Sequence, residues 1–451
     1  MARIRLSTCG HHHMPSRRGF LFRVASAAGV GLLASHADAQ VSSRSASTRN
    51  SSRACVFINL NGAPSHLDTF DPKDGPWNPA DIDLRQYPGG IVLSRTLFPE
   101  LSKITNDLCV LHSVTSWEAA HERGQFYLQT AHPSNPAFAA ETPHMGAVIA
   151  REKAGGGPMP PFLAFNSTGI QGAAFLGGKV APLMPFVNRN GLSTLEHNFF
   201  GTSSQQRFND RYALLEALDS SLRKKPLGGD MSEYADFYGG AKSMMYDTSI
   251  ANVMKFSIED EARYGNTDLG RQLIVTRNAI RAKNGAVFIT VRQNGWDTHQ
   301  NMFDRGYAPN IYQLSNDLDR AVYQFVQDLK ASNDFNSTLI VIMGEFGRTP
   351  GLLNARGGRD HHKYAMSVVM LGGGVRGGQV VGATDSFGDR VVTPGWKADR
   401  AIFMEDIAST IFSALGIDWT KSILDTPSGR KFEYVPYGVD GLYFPIDEVF
   451  G

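Results

Sequence analysis

Five short apolar runs punctuate the chain: ACVFINL at 54–60, DLCVLHSV at 107–114, GAVFITV at 285–291, STLIVIM at 337–343 and MSVVMLGG at 366–373. Each is rich in Val, Ile and Leu and nearly continuous. Strands buried on both faces read this way, because no polar face alternates with the apolar one. Between the third and fourth runs the period changes. Ile311, Leu314, Leu318, Val322, Phe325, Val326 and Leu329 recur at helical spacing within NIYQLSNDLDRAVYQFVQDLKAS. Strand, helix, strand implies a right-handed parallel crossover. The chain therefore reads as an α/β fold, a central and mostly parallel sheet flanked by helices on both faces. In such sheets ligands bind beyond the carboxyl ends of the strands, which directs attention to the polar residues that come after each run.

Three stretches lie outside this pattern. Residues 40–53, QVSSRSASTRNSSR, have no apolar periodicity and read as a Ser/Arg-rich linker. Residues 151–235 are rich in Gly, Pro, Asn and Phe and then turn helical. They read as an insertion covering the site, within a single domain spanning 54–451. Residues 1–39 contain a twin arginine, Arg17-Arg18, then a weakly apolar Ala/Gly stretch, then Ala37-Asp38-Ala39. This order is similar to a twin-arginine export signal cleaved after Ala39. It implies a periplasmic or secreted protein that meets the Tat translocase during export. The apolar stretch is too short and too interrupted to span a bilayer, so no transmembrane helix is expected in the mature protein.

Composition adds limits. The 451 residues are 42% hydrophobic and 19% charged, ordinary for a globular protein with an ample core. A net charge of +1, made slightly negative by loss of the arginine-bearing signal, gives no electrostatic reason for a nucleic-acid partner. Cys55 and Cys109 sit inside apolar runs and read as buried thiols rather than a disulfide. LGGGVRGG at 371–378 is glycine-rich but does not open a helix in the dinucleotide-binding pattern, so it reads as a turn.

Four polar clusters come after the runs. The first offers Asn61, His66, Asp68 and Asp71; the second Ser113, Thr115, Ser116 and His121. The third offers Asp297, His299 and Asn301, and the fourth Glu345, Arg348, Asp360, His361 and His362. Singly, an Asp or Asn after a strand is a turn or a cap. TSWE reads as a capping box between Thr115 and Glu118. Together, three strand ends that each carry Asp or Glu near His have the composition of metal ligands. Mixed carboxylate and imidazole suits a divalent Zn, Mn, Fe or Ca ion, with hydrolysis of phosphate or sulfate esters as the matching chemistry. Arg348 would clamp such an anion bidentately.

The signal together with GAPSHLDTFDPK, WDTHQN, GEFGRTP and GRDHH resembles the DUF1501 family of exported proteins, over nearly the whole mature chain. That family in turn resembles the alkaline phosphatase/sulfatase superfamily of metal-dependent hydrolases. MEDIASTIFSALGID at 404–418 is similar to a helix-and-turn segment near the end of sulfatase catalytic domains. The resemblance implies an alkaline phosphatase/sulfatase-like fold, one or two divalent metal ions and an anionic small-molecule or glycan substrate. It also implies roles. Asn61 stands where superfamily members carry a metal-ligating Asp, with His66 or Asp68 as substitutes. Asp297 matches the Asp of a later strand, and His299 lies beside Asn301, where a His is usual. Glu345-Phe346 stands for Asp-His, and His361 or His362, next to Asp360, falls at the last ligand. HERGQFYLQTAH resembles the nucleophile segment, yet His121 stands where Cys, Ser or Thr would. His121 is then a metal ligand, a nucleophile or a mark of lost chemistry, and Ser113 or Ser116 an alternative nucleophile. A member without turnover that binds an anionic glycan is the other outcome the pattern allows.

Overall fold

The computed structural model describes residues 46–153, 155–189, 191–192, 204–224 and 247–450. The segment expected to be an export signal, its expected cleavage site and the start of the linker lie outside the described residues, as does part of 151–235.

Seven strands form the central sheet: β1 (Ala54–Leu60), β2 (Cys109–Val114), β3 (Phe162–Ala164), β4 (Phe288–Gln293), β5 (Thr338–Met343), β6 (Met366–Leu371) and β7 (Gln379–Val381). Their order is β7-β2-β6-β5-β1-β4-β3. β1 lies at the centre, parallel to β4 and β5, with Asn59 opposite Arg292 on one side and Met343 on the other. β6 runs antiparallel to both its neighbours, so the sheet is mostly parallel with one reversed strand. All five apolar runs are strands. The two strands without such a run, β3 and β7, are three-residue edges, too short to leave a pattern. β3 comes from within 151–235, so part of that stretch belongs to the sheet itself.

The continuous apolar character of β1 has a direct cause. Ala54, Val56, Ile58 and Leu60 pack into one hydrophobic core, Cys55 and Phe57 into the other. Five helices build the two cores and position the site: α1 (His121–Thr130), α2 (Met145–Lys153), α3 (Asp268–Ala282), α4 (Ile311–Ala331) and α5 (Met404–Ala414). α3 and α4 cover the first face; α1, α2 and α5 cover the second. The apolar stripe read from α4 is buried in full, and Asn310 caps the helix by accepting from the Gln313 amide at 3.0 Å. Because β4 and β5 flank β1, the α4 crossover carries the chain past β1 rather than to an adjacent strand. Cys55 and Cys109 are buried free thiols, and the glycine-rich segment after β6 is a turn. Among the described residues no helix is long and apolar enough to cross a membrane.

The Thr115–Glu118 capping box does not form. α1 begins at His121 with Ala120 at its cap, Thr115 Oγ1 donates to the Lys363 carbonyl at 2.7 Å, and Glu118 pairs with Arg123. A tertiary hydrogen bond has claimed Thr115, and a local ion pair Glu118. α1 is fixed instead from α5: the Tyr127 hydroxyl donates to the buried Glu405 carboxylate and accepts from the Met404 amide at 3.2 Å. Burial, opposed by the Tyr127 hydrogen bond, pushes Glu405 up to about 7. Its proton is held more tightly in the folded chain than in the unfolded one. The corresponding stability is fully present below the ordinary Glu value of about 4.3 and is lost as pH rises to about 7, in all about 4 kcal/mol. Glu405→Gln is therefore expected to flatten the fall in stability between these limits, as read from denaturant melts across pH.

Candidate metal centre

β1 ends at Leu60, and the chain then turns at Gly62, whose φ of +105° lies in the region that favours glycine. A Cβ there would stand 2.5 Å from the Asp297 amide nitrogen. The loop after β1 and the loop after β4 thus meet backbone to backbone. The Gly62 amide donates to Glu345 Oε1 at 3.2 Å, just beyond β5. A two-residue ribbon, Gly347–Arg348 against His361–His362, completes the rim, and α1 brings His121 to it.

Four side chains converge here: His121, Asp297, His299 and His361, each with a ligand-type atom within 4.8 Å of the others. Asp297 Oδ1 lies 3.1 Å from His121 Nε2, 3.2 Å from His299 Nε2 and 3.7 Å from His361 Nε2. The two Nε2 atoms of His299 and His361 face each other at 2.9 Å. The opposite nitrogen of every ring is already committed. His121 Nδ1 meets Glu345 Oε1, His299 Nδ1 meets Asp360 Oδ1, and His361 Nδ1 meets the Ala119 carbonyl, each at 2.7 Å. An acceptor at Nδ1 fixes the proton there and turns the Nε2 lone pair inward, the arrangement that orients metal-binding imidazoles. His121 Nε2 is buried and, despite its nearness to Asp297, makes no hydrogen bond.

The donor set fits a divalent cation. A tetrahedral ion with bonds of about 2.0–2.2 Å sets its ligand atoms about 3.4 Å apart, within the range of separations here. Three imidazoles and a carboxylate suit Zn, Mn or Fe better than Ca, which wants oxygens throughout. The cluster is half-open, with the Asp297 side chain 47% exposed.

The electrostatics keep the carboxylates of the site ionised. Burial raises the Asp297 carboxyl, but the hydrogen bond and charge of Arg348, then the charges of His121 and His299, outweigh it and hold it at about 2. The Glu345 hydrogen bond raises His121 against the effect of burial, whereas burial lowers His361. The His299 hydrogen bond holds Asp360 below the usual carboxylate range.

The remaining residues singled out from the sequence fall elsewhere. Glu345 is fully buried and orients His121, helped by the Gln125 amide at 2.8 Å; Asp360 orients His299 from the rim. Arg348 is not free to clamp an anion. Its guanidinium is completely buried and donates to Asp297 Oδ1 at 2.5 Å, to the Gly62 and Ala63 carbonyls and to the Arg359 carbonyl. Asp68 is buried in an ion pair with Arg359, at 2.6 Å from Nε, and accepts from Ser65. His66 and His362 stack on each other and bind the carbonyls of Gly388 and Asp389, away from the cluster; burial lowers His66 to about 4. The Ser113 hydroxyl is fully buried without a hydrogen-bond partner and packs where a Cβ on Gly382 would collide with it, so no substrate reaches it. Sequence reasoning missed Gln125, the Ala119 carbonyl and Gly62. Only Gly62 had left a trace, an Asn-Gly pair directly after a strand.

Gly62→Ala is expected to push the Asp297 loop outward. Metal affinity should fall at least about tenfold, with about 1–3 kcal/mol of destabilisation from a strained backbone. Metal titration of the folded variant checks this.

The fold and the cluster define a class: an α/β protein with a histidine–aspartate centre at the carboxyl edge of a mostly parallel sheet. The chain belongs to the DUF1501 family, described as proteins of unknown function, whose sequence profile matches residues 52–439. No curated protein matches the sequence. Similar solved structures include Ps i-CgsB in complex with k-i-k-neocarrahexaose, at 11% identity and TM-score 0.40, over 81% of this chain and 72% of that one. The phosphonate monoester hydrolase SpPMH from Silicibacter pomeroyi shows 13% identity and TM-score 0.38, over 89% and 77%. The lipoteichoic acid synthase LtaP from Listeria monocytogenes shows 11% identity and TM-score 0.36, over 82% and 74%. Such scores mark remote likeness, and nothing about activity can be taken from them.

Proposed function

We propose that the protein is a metal-dependent hydrolase of phosphate or sulfate esters, acting outside the cytoplasm after twin-arginine export. One observation carries this reading: three histidines with committed Nδ1 atoms turn their Nε2 atoms toward one carboxylate oxygen in a half-open site. Structural sites are closed, whereas sites that act on substrates keep an accessible side.

His121, Asp297, His299 and His361 would hold the ion, which would supply Lewis acidity toward an ester oxygen. Glu345, Asp360 and the Ala119 carbonyl keep the three imidazoles in the binding tautomer. Arg348 keeps Asp297 ionised and fixed in place. With Ser113 and Ser116 buried, and His121 held by Glu345 at Nδ1 and turned toward the ion at Nε2, water would be the attacking group and no covalent intermediate is required.

The test is release of phenol from an aryl phosphate or aryl sulfate by metal-loaded protein, abolished by chelator. Chelation is also expected to lower the melting temperature, since a ligand at a hundredfold over its Kd adds about 2.7 kcal/mol. A second reading is favoured by Arg348, whose Nη1 lies 3.3 Å from His299 Nε2 while Nη2 holds Asp297. A guanidinium so placed supplies the cluster with a positive charge of its own. The protein would then bind an anionic glycan without turnover, retaining an aryl sulfate and releasing no phenol.

A further inference from the structure

The two arginines of the ribbon region are spent on internal carboxylates, Arg348 on Asp297 and Arg359 on Asp68. Arg292, in β4 on the same edge of the sheet, is different. Its Nη2 donates to Asn61 Oδ1 at 2.5 Å and its Nη1 to the Thr168 carbonyl at 3.1 Å, both neutral acceptors. Its Nε is buried and has no partner. The guanidinium therefore carries a charge without a paired anion and a buried donor without an acceptor. Each Nη also keeps a second N–H beyond these two bonds, and an incoming oxyanion would give those donors a charged acceptor. Arg292 is tied to the metal centre through the chain: Asn61, which it holds, precedes Gly62, whose amide donates to Glu345 Oε1.

Arg292 borders a polar cleft of about 400 Å³, lined also by Asn294, Gln313 and Asp317. Asn294 uses its Oδ1 on Asn61, leaving its Nδ2 unused. Asp317 is half-buried on the same wall, and burial pushes its carboxyl up to about 6. A wall that alternates cation, amide and carboxylate matches a ligand carrying an oxyanion and hydroxyls, not an apolar one.

We propose that Arg292 holds the anionic group of the substrate, a sulfate or phosphate, while Asp317 and Asn294 bind hydroxyls of its remainder. The word substrate rests on the hydrolase reading; the oxyanion site does not depend on the metal.

Calorimetric titration of mature protein with inorganic sulfate, inorganic phosphate and glucose 6-sulfate tests this, with metal content measured on every sample. Wild type is expected to bind at millimolar concentration or below, and Arg292→Gln to weaken binding about tenfold or more while retaining its metal. Asp317→Asn is expected to weaken glucose 6-sulfate but not inorganic sulfate. Arg292→Lys keeps the charge without the fork and should lose part of the affinity, which serves if the Gln variant fails to fold. Unchanged affinity in a folded Arg292 variant, or no anion binding by wild type, overturns the proposal. Equal effects of Asp317→Asn on both sulfates overturn the assignment of hydroxyls. A wild type that lacks metal but binds anions through Arg292 refutes the hydrolase reading alone, so the two failures are distinguishable.

Discussion

His299→Ala is expected to leave the protein folded and without bound metal. His299 sits at the centre of the cluster, facing His361 Nε2 at 2.9 Å and Asp297 Oδ1 at 3.2 Å, and Asp360 fixes its tautomer from the rim. Its loss would remove one of the four proposed ligands and free Asp360 to turn into solvent, where that half-exposed carboxylate costs little. Stability of the metal-free protein should therefore change by less than about 1 kcal/mol, as for substitutions near the surface. Metal affinity should fall by much more than the about 10–100-fold typical of losing an outer partner, which is the effect expected of Asp360→Asn. Ester hydrolysis should vanish with the metal. Metal titration and melting of the apo forms read the two effects separately. A variant that keeps both metal and activity would remove His299 from the site.

Asp68→Ala is expected to do the opposite, costing stability rather than a ligand. Asp68 and Arg359 form a fully buried pair, and Arg359 Nη1 also donates to the carbonyls of Thr349 at 2.9 Å and Gly351 at 2.7 Å. Removing the carboxylate strands a guanidinium in the interior. Breaking such a pair costs about 3–5 kcal/mol. Because the pair ties the loop before Asp360 and His361 to the segment after β1, metal affinity should fall as a secondary effect. The double variant Asp68→Leu/Arg359→Met should be less destabilised than the sum of the single changes, since neither charge is then left alone. Denaturant melts of the three variants decide it. Full stability with loss of metal would instead make Asp68 a ligand, as the sequence alone leads one to expect.

The difference between Asp68 and Asp297 shows what a sequence can carry. Both come after strands and both lie near histidines, so local pattern treats them alike. Only the fold reveals that Arg359, 291 positions away, buries Asp68 in an ion pair, while Asp297, though held by Arg348, stays half-exposed and faces His121 and His361. The adjacent pair His361-His362 makes the same point on a smaller scale. Successive side chains of a strand point to opposite faces, so one of the two must leave the site. The ribbon's register with Gly347–Arg348 sends His361 inward and His362 to the Asp389 carbonyl.

The layered architecture was readable because burial on both faces demands continuous apolar runs, and β1 has one. Its short edge strands were not, because three residues carry no period. The histidine–aspartate cluster was legible as composition at strand ends but not as geometry. Its orienting groups include a main-chain carbonyl, Ala119, that no residue type announces, and its anion-facing arginine is not the one in the conspicuous motif. Arg348 drew attention by lying beside Glu345, yet its complete burial commits it to Asp297. Arg292 lies within an apolar strand and gave no local signal.

The most direct test of the account is the metal content of untagged mature protein, recovered after export without chelator and measured by elemental mass spectrometry. One equivalent of Zn, Mn or Fe, lost in His299→Ala, is the predicted result. A well-folded sample that contains no metal and takes none up would contradict it.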